Sequence, residues 1–174
     1  MRKLIYIVAT TVDGFIADVD HGVAAFLAEG DHATEYLAQI RTFDTVVMGR
    51  GTYEFGLQFG VTDPYPWAET IVFGRFDTPP DARVRFTSDD PTKIVAEQKL
   101  REGSPIYLCG GGKLARALFD AGLVDELVVK QNPSLLGAGI PLTAGLSKAT
   151  RLRLRSAKVH DVGVVVLRYD VNAS

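Results

Sequence analysis

Thr45-Val46-Val47-Met48-Gly49-Arg50-Gly51-Thr52-Tyr53-Glu54 is the stretch on which the fold turns. A short apolar run with two β-branched valines leads straight into two glycines separated by an arginine, and a segment compatible with a helix follows. The pattern predicts a buried strand over 45–48, a tight turn, and a short helix over 52–59. The same grammar recurs downstream. Residues 105–109 read as a strand, Gly110-Gly111-Gly112 as the turn, and Leu114, Leu118 and Ala121 as one face of a helix that ends at Gly122. Working outward, strands are expected over 3–10, 69–73, 84–87 and 126–131. Ala33, Tyr36, Leu37 and Ile40 fall at helical spacing behind Asp31, which is read as the N-cap of a helix over 31–42. Asp90 followed by Pro91 opens another helix that ends near Gly103. Residues 151–159 alternate, with Leu152 and Leu154 on one face and Arg151, Arg153 and Arg155 on the other. A short link through His160 joins them to a last strand over 163–171, which predicts a hairpin. Strands alternating with helices imply an α/β fold: a mostly parallel sheet, helices on both faces, and an antiparallel hairpin at the C-terminal edge.

Composition narrows the function. The 174 residues suffice for one sizeable core, and a single domain over 1–174 is expected. A net charge of −2 offers no global excess of cations to hold a polyanion, so nucleic acid is not an expected partner. The stripe Arg151, Arg153, Arg155 and Lys158 reads as a charged outer edge that discourages aggregation. One cysteine, Cys109, cannot form an internal disulfide, and with three histidines it gives no zinc pattern. The apolar run Leu4-Ile5-Tyr6-Ile7-Val8 is too short to span a membrane. Asp13 and Asp18 follow it without a small-residue cleavage site, so it reads as a first strand and the expected compartment is the cytoplasm.

Two glycine-rich turns are the candidate binding site. In open α/β sheets ligands bind beyond the carboxyl ends of the strands. Backbone N–H groups at a helix start favour phosphate there. Around Gly49 and Gly51 the backbone can come close to a ligand, Thr52 offers a hydroxyl, and Arg50 offers a guanidinium fork. Gly110, Gly111 and Gly112 strip a second turn of side chains. One such turn is explained equally well by tight geometry; two in one small sheet, one with an arginine, favour phosphate. Neither is a nucleotide signature by itself, since the phosphate-loop and dinucleotide fingerprints are absent. Asp13 sits in an Asp-Gly turn, and Glu29 and Asp31 lie at the first helix's start. Each has a plain reading, turn geometry or complementing the helix dipole, and a chemical one, proton donor or substrate anchor at a cleft mouth. Cys109 reads as a small hydrophobe, His160 as a solvated link, and Tyr65, Pro66 and Trp67 as either a pocket wall or a cover over the core.

The order of Asp13-Gly14-Phe15-Ile16-Ala17, Val47-Met48-Gly49-Arg50-Gly51-Thr52-Tyr53-Glu54, Gly110-Gly111-Gly112, Leu123-Val124-Asp125-Glu126-Leu127 with Pro133, and Leu136-Gly137-Ala138-Gly139 closely resembles the dihydrofolate-reductase-like family. Within it, the chain looks most like the branch that holds the reductase domain of the bifunctional riboflavin-biosynthesis deaminase-reductase and its stand-alone bacterial relatives. The resemblance implies an eight-stranded, three-layer sheet fold with NADPH across its carboxyl edge. It implies phosphate contacts from Arg50 and Thr52, with Gly49 beside them in the cofactor site and help from Arg75 at the 2′-phosphate. Gly110, Gly111 and Gly112 would line the diphosphate, with a cis peptide between Gly110 and Gly111, and Cys109, Lys113 and Leu114 beside them would belong to the cofactor site. Ala9, Thr10, Ile16 and Ala17 would border the nicotinamide. The tryptophan common after the Asp-Gly turn is missing from Val23-Ala24-Ala25-Phe26, and Glu29 and Asp31 are the nearest counterparts of the acid on the first helix of dihydrofolate reductases. The expectation is therefore an NADPH-dependent reductase of a small pterin-like or ribosylamino-pyrimidine-like molecule, forming a homodimer, with Asp13, Glu29 and Asp31 as candidate proton donors. The alternatives are an NADPH-binding regulatory module without turnover, a true dihydrofolate reductase, and a structural dimer that binds no nucleotide.

Overall fold

Strand order is what places the site. The computed structural model describes residues 1–77 and 80–171. The chain runs β1 (Leu4–Thr10), β2 (Phe15–Ala17), α1 (Asp31–Ile40), β3 (Thr45–Gly49), α2 (Arg50–Leu57), β4 (Glu69–Phe73), β5 (Arg85–Thr87), α3 (Pro91–Leu100), β6 (Ile106–Gly110), α4 (Gly112–Asp120), β7 (Glu126–Gln131), β8 (Ile140–Pro141), β9 (Leu152–Val159) and β10 (Val165–Val171). The main sheet has eight strands in the order β5-β4-β3-β6-β1-β7-β10-β9. Neighbours from β5 to β7 pair in parallel, while β10 is antiparallel to both β7 and β9. This is the fold expected from the alternating strands and helices. No helix among the described residues is long and apolar enough to cross a membrane.

The central strands are apolar on both faces because both are covered. Leu4, Tyr6, Val47, Ile106, Leu108, Leu127 and Val129 point into one core, with Ile94 and Val95 of α3 and Leu114, Ala115 and Leu118 of α4. Ile5, Ile7, Val46, Met48, Tyr107 and Val128 point into the other, with Ile40 of α1 and Tyr53 of α2. Thus α3 and α4 cover one face and α1 and α2 the other. Since β3 feeds α2 and its neighbour β6 feeds α4, the connections leave this pair of strands toward opposite faces. Between β3 and β6 lies the switch-point crevice where such sheets bind ligands.

Several local expectations are corrected. Gly30, not Asp31, caps α1 at φ 113°, and Asp31 is the first helical residue. Helix α2 begins at Arg50, so the Gly49–Thr52 turn is itself the first turn of the helix. Helix α3 stops at Leu100, three residues before Gly103; its start is as read, with Asp90 accepting from Thr92 N at 2.9 Å and Pro91 behind it. A two-stranded sheet of β2 and β8 is additional. Alternation does not bury one face of β9: Leu152 and Leu154 stay 43% and 54% exposed. Arg153 and Arg155 are instead neutralised by Asp170 and Glu126.

His160 is buried rather than solvated. It meets the buried His32 of α1 edge-on, with ring centroids 5.8 Å apart. Neither ring nitrogen of His32 has a hydrogen-bond partner among the described residues. Burial, then the nearby Lys130 charge, lowers its pKa. The unfolded chain therefore binds a proton more readily, near the ordinary value of about 6.5. Stability from this group is fully present above that pH and is lost as the pH falls below it toward the folded-state value. Urea unfolding between pH 5 and 8 should show the midpoint falling on the acid side, and His32→Phe should flatten that slope. An unchanged slope in the variant would place its origin elsewhere.

Candidate functional site

The carboxyl edge of the sheet opens into a groove of about 1250 Å³. Two helix starts face each other in it. A Cβ built on Gly49 would lie 3.7 Å from Gly111 N, and one on Gly111 would lie 3.3 Å from Thr52 Oγ1. The helices have glycine N-caps, Gly49 for α2 and Gly111 for α4, and neither has a side-chain cap. Their first N–H groups thus lack both an intrahelical partner and a capping oxygen, which is the unsatisfied donor set that an anion fills.

The glycines divide by role. Gly51 has no atom within 4 Å of a built Cβ, so its missing side chain leaves groove space open. Gly110 takes φ 127°, and its peptide bond to Gly111 is cis, as the resemblance implies. Gly112 packs against β8, where a Cβ would come 2.5 Å from Pro141 O; here the tight-geometry reading holds.

Arg50 is anchored at the rim. Its Nε donates to Glu54 at 2.6 Å, Nη1 donates to Arg75 O at 3.0 Å, and the guanidinium lies 5.1 Å from the Phe76 ring centre. A Cβ on Gly74 would come 2.6 Å from Arg50 Cβ, so glycine there lets the arginine lie down over the turn after β4. Arg75 is exposed and meets this site through its carbonyl, with no side chain on the groove wall.

Of the remaining residues nominated from sequence, Ala9, Ile16, Ala17, Gly49, Thr52, Cys109, Gly111, Gly112, Lys113 and Leu114 line the groove, while the buried Thr10 and Gly110 do not. The three candidate proton donors are elsewhere. Asp13 turns away to the loop before β8, where it accepts from Gly137 N at 2.7 Å and Leu136 N at 3.1 Å. The Thr11 hydroxyl, then these backbone donors, hold its carboxyl below the ordinary value, so it is an ionised clamp on the loop rather than an acid. Glu29 and Asp31 are exposed and off the wall.

What lines the groove is cationic, phenolic and apolar. Arg50, Lys113, Lys130 and His21 reach it, with Tyr36, Tyr65 and Tyr107, and among the described residues no aspartate or glutamate does. Tyr65 Oη and Cys109 Sγ lie 3.4 Å apart, and burial pushes the Cys109 thiol up, which keeps it protonated and a poor nucleophile. Of the Tyr65, Pro66 and Trp67 segment, only Tyr65 walls the groove; Trp67 lies under Arg41. Sequence reasoning missed Tyr36, Tyr107 and Lys130. Tyr36 passes for part of a helix's apolar stripe and Tyr107 for part of a strand. Lys130 did carry a signal: it directly follows the apolar run Leu127-Val128-Val129 while still inside the strand.

The sequence profile of the RibD C-terminal domain matches residues 2–166. The chain belongs to the RibD C-terminal domain family. The uncharacterized protein YwjB of Bacillus subtilis (strain 168) is 34% identical over 161 residues, covering 90% of this chain and 91% of that one. Two solved structures share the fold. Dihydrofolate reductase from Enterococcus faecalis, complexed with NADP(H), superposes with a TM-score of 0.66 at 19% identity over 98% of this chain and 97% of its own. The diaminohydroxyphosphoribosylaminopyrimidine deaminase/5-amino-6-(5-phosphoribosylamino)uracil reductase of Thermotoga maritima gives a TM-score of 0.73 at 16% identity, over 98% of this chain and 56% of that longer one. At such identities the likeness to this RibD-type reductase and to dihydrofolate reductase is one of fold.

Proposed function

We propose that this protein is an NADPH-dependent reductase of a small pterin-like or ribosylamino-pyrimidine-like molecule. The observation that carries the reading is the meeting of two uncapped helix starts, α2 and α4, across the β3/β6 crevice, on glycines that leave the backbone open to the groove. The residues fit the cofactor. N–H groups at the starts of both helices and the Thr52 hydroxyl would hold its diphosphate, and Lys113 adds charge. Arg50, outermost, would take the 2′-phosphate. Ala9, Ile16 and Ala17 offer an apolar wall that keeps water from a nicotinamide ring. Bound there, NADPH supplies a hydride to a C=N or C=O bond; the protein supplies alignment and electrostatics.

The absence of carboxylates from the groove wall among the described residues separates this reading from a true dihydrofolate reductase. Such a site needs an acid to grip the amino-pyrimidine edge. Loss of NADPH absorbance, followed against a panel of pterins and ribosylamino-pyrimidines, tests the reading. Oxidation should depend on one of these compounds, and dihydrofolate should turn over far more slowly than about 10 per second, the median for enzymes. Tight NADPH binding without oxidation by any compound would favour the regulatory-module reading.

A further inference from the structure

The far end of the groove holds a charge that the cofactor does not account for. Lys130 of β7 is half-buried and forms no ion pair among the described residues; its polar contact is Leu27 O at 3.5 Å. The groups packed behind it do not neutralise it. His32 and His160 are bases, Arg168 donates to Gln39, and Glu35, the one acid there among the described residues, is taken by Lys158 and faces His160. Burial lowers the Lys130 pKa, as desolvation does to an unpaired ammonium. An ammonium withdrawn from water without an anion is costly, so an unpaired one on a ligand groove marks where a negative or strongly accepting atom is received.

Three phenols gather at the same end from three different elements. Tyr36 Oη of α1 lies 2.8 Å from Tyr107 Oη of β6, and Lys130 Nζ lies 5.8 Å from the Tyr36 ring centre. Tyr65, from the loop before β4, packs edge-on against Tyr107 with ring centroids 5.8 Å apart. Tyr107 and Tyr65 are 1% and 9% exposed, whereas Tyr36 is half-buried and lines the groove beside Lys130. Its phenol is pushed up to about 12 by burial, so it keeps its proton and can donate. Val23, Phe26, Leu27 and Met48 supply apolar walls.

We propose that Tyr36 and Lys130 form a subsite for an anionic or carbonyl oxygen on a planar ring, so that the substrate turns an oxo or acidic edge, and not a cationic amino edge, toward this end of the groove. The inference rests on the reductase reading only in naming the occupant a substrate. On that reading, negative charge develops on the acceptor atom as its bond is reduced, and an ammonium and a hydroxyl beside it favour that charge.

The test uses 4-nitrophenol as probe, with nitrobenzene as its neutral counterpart and 2,4-diaminopyrimidine as its amino-bearing one, titrated by calorimetry and absorbance with and without NADPH. The protein should bind 4-nitrophenolate and lower the apparent pKa of the bound probe. Lys130→Met and Tyr36→Phe should each weaken the phenolate about tenfold or more, as expected for a hydrogen bond to a charged group. Lys130→Arg should retain the binding, and nitrobenzene should not distinguish the variants. NADPH affinity, measured separately, should stay unchanged in all three. Equal phenolate affinity in the protein, Lys130→Met and Tyr36→Phe, or tighter binding of 2,4-diaminopyrimidine than of the phenolate, would overturn the subsite. If the phenolate behaves as stated but NADPH does not bind, the reductase reading falls and the subsite stands.

Discussion

Asp125→Ala is expected to lower the free energy of unfolding by about 3–5 kcal/mol, the range for a buried charge stripped of its partner. The Lys99 side chain is only 4% exposed, and its Nζ donates to Asp125 Oδ2 at 2.6 Å and to Leu123 O at 2.7 Å. The same carboxylate oxygen accepts from Leu4 N at 2.7 Å, and Asp125 N donates to Leu4 O at 2.9 Å. One side chain thus ties α3, the start of β1 and the corner before β7 together. Removing it leaves an ammonium in the core with a single carbonyl. Lys99→Met should cost less, because the Asp125 side chain is 35% exposed and keeps access to water. Urea unfolding followed by circular dichroism reads both values. A loss below about 1 kcal/mol for Asp125→Ala would mean that Lys99 finds another route to solvent.

Arg50→Ala is expected to remove a preference for NADPH over NADH of about tenfold or more. A guanidinium–phosphate contact is charge-assisted and contributes roughly 1.5–3 kcal/mol. The side chain is already laid down by Glu54, the Arg75 carbonyl and the Phe76 ring, so little freedom remains to be lost on binding. Arg75→Ala should leave the preference nearly intact, since its side chain is off the groove wall. The ratio of the two dissociation constants, measured for the protein and both variants, decides this. An unchanged ratio in Arg50→Ala would move 2′-phosphate recognition to another residue.

Strands β3, β4 and β6 were legible because each is a short apolar run closed by glycine. The strands at 69–73 and 126–131 have their expected limits to the residue. The β2–β8 pair was not legible: three residues against two carry no periodicity, and the pairing depends on Gly139 lying against Ala17, a contact between distant segments. His160 was misread for the same kind of reason. A histidine in a hairpin link is solvated by default, and only the packing of α1 across the sheet covers it with His32. The two glycine turns could be read singly, but that they touch follows from β3 lying beside β6, which local sequence does not state. Tyr36, Tyr65 and Tyr107 are joined by that same strand order. The carboxylates were nominated because they stand near the right turns in sequence; Asp13 shows how a nearby loop can claim such a group first.

The central claim is that the groove between α2 and α4 is a cofactor site, and calorimetric titration of the protein with NADPH tests it most directly. The account predicts saturable binding of one NADPH per chain, with a dissociation constant in the range of about 1 μM to 1 mM usual for enzyme ligands, and NADH weaker by about tenfold or more. No saturable binding of NADPH at millimolar concentration by the folded protein would contradict it.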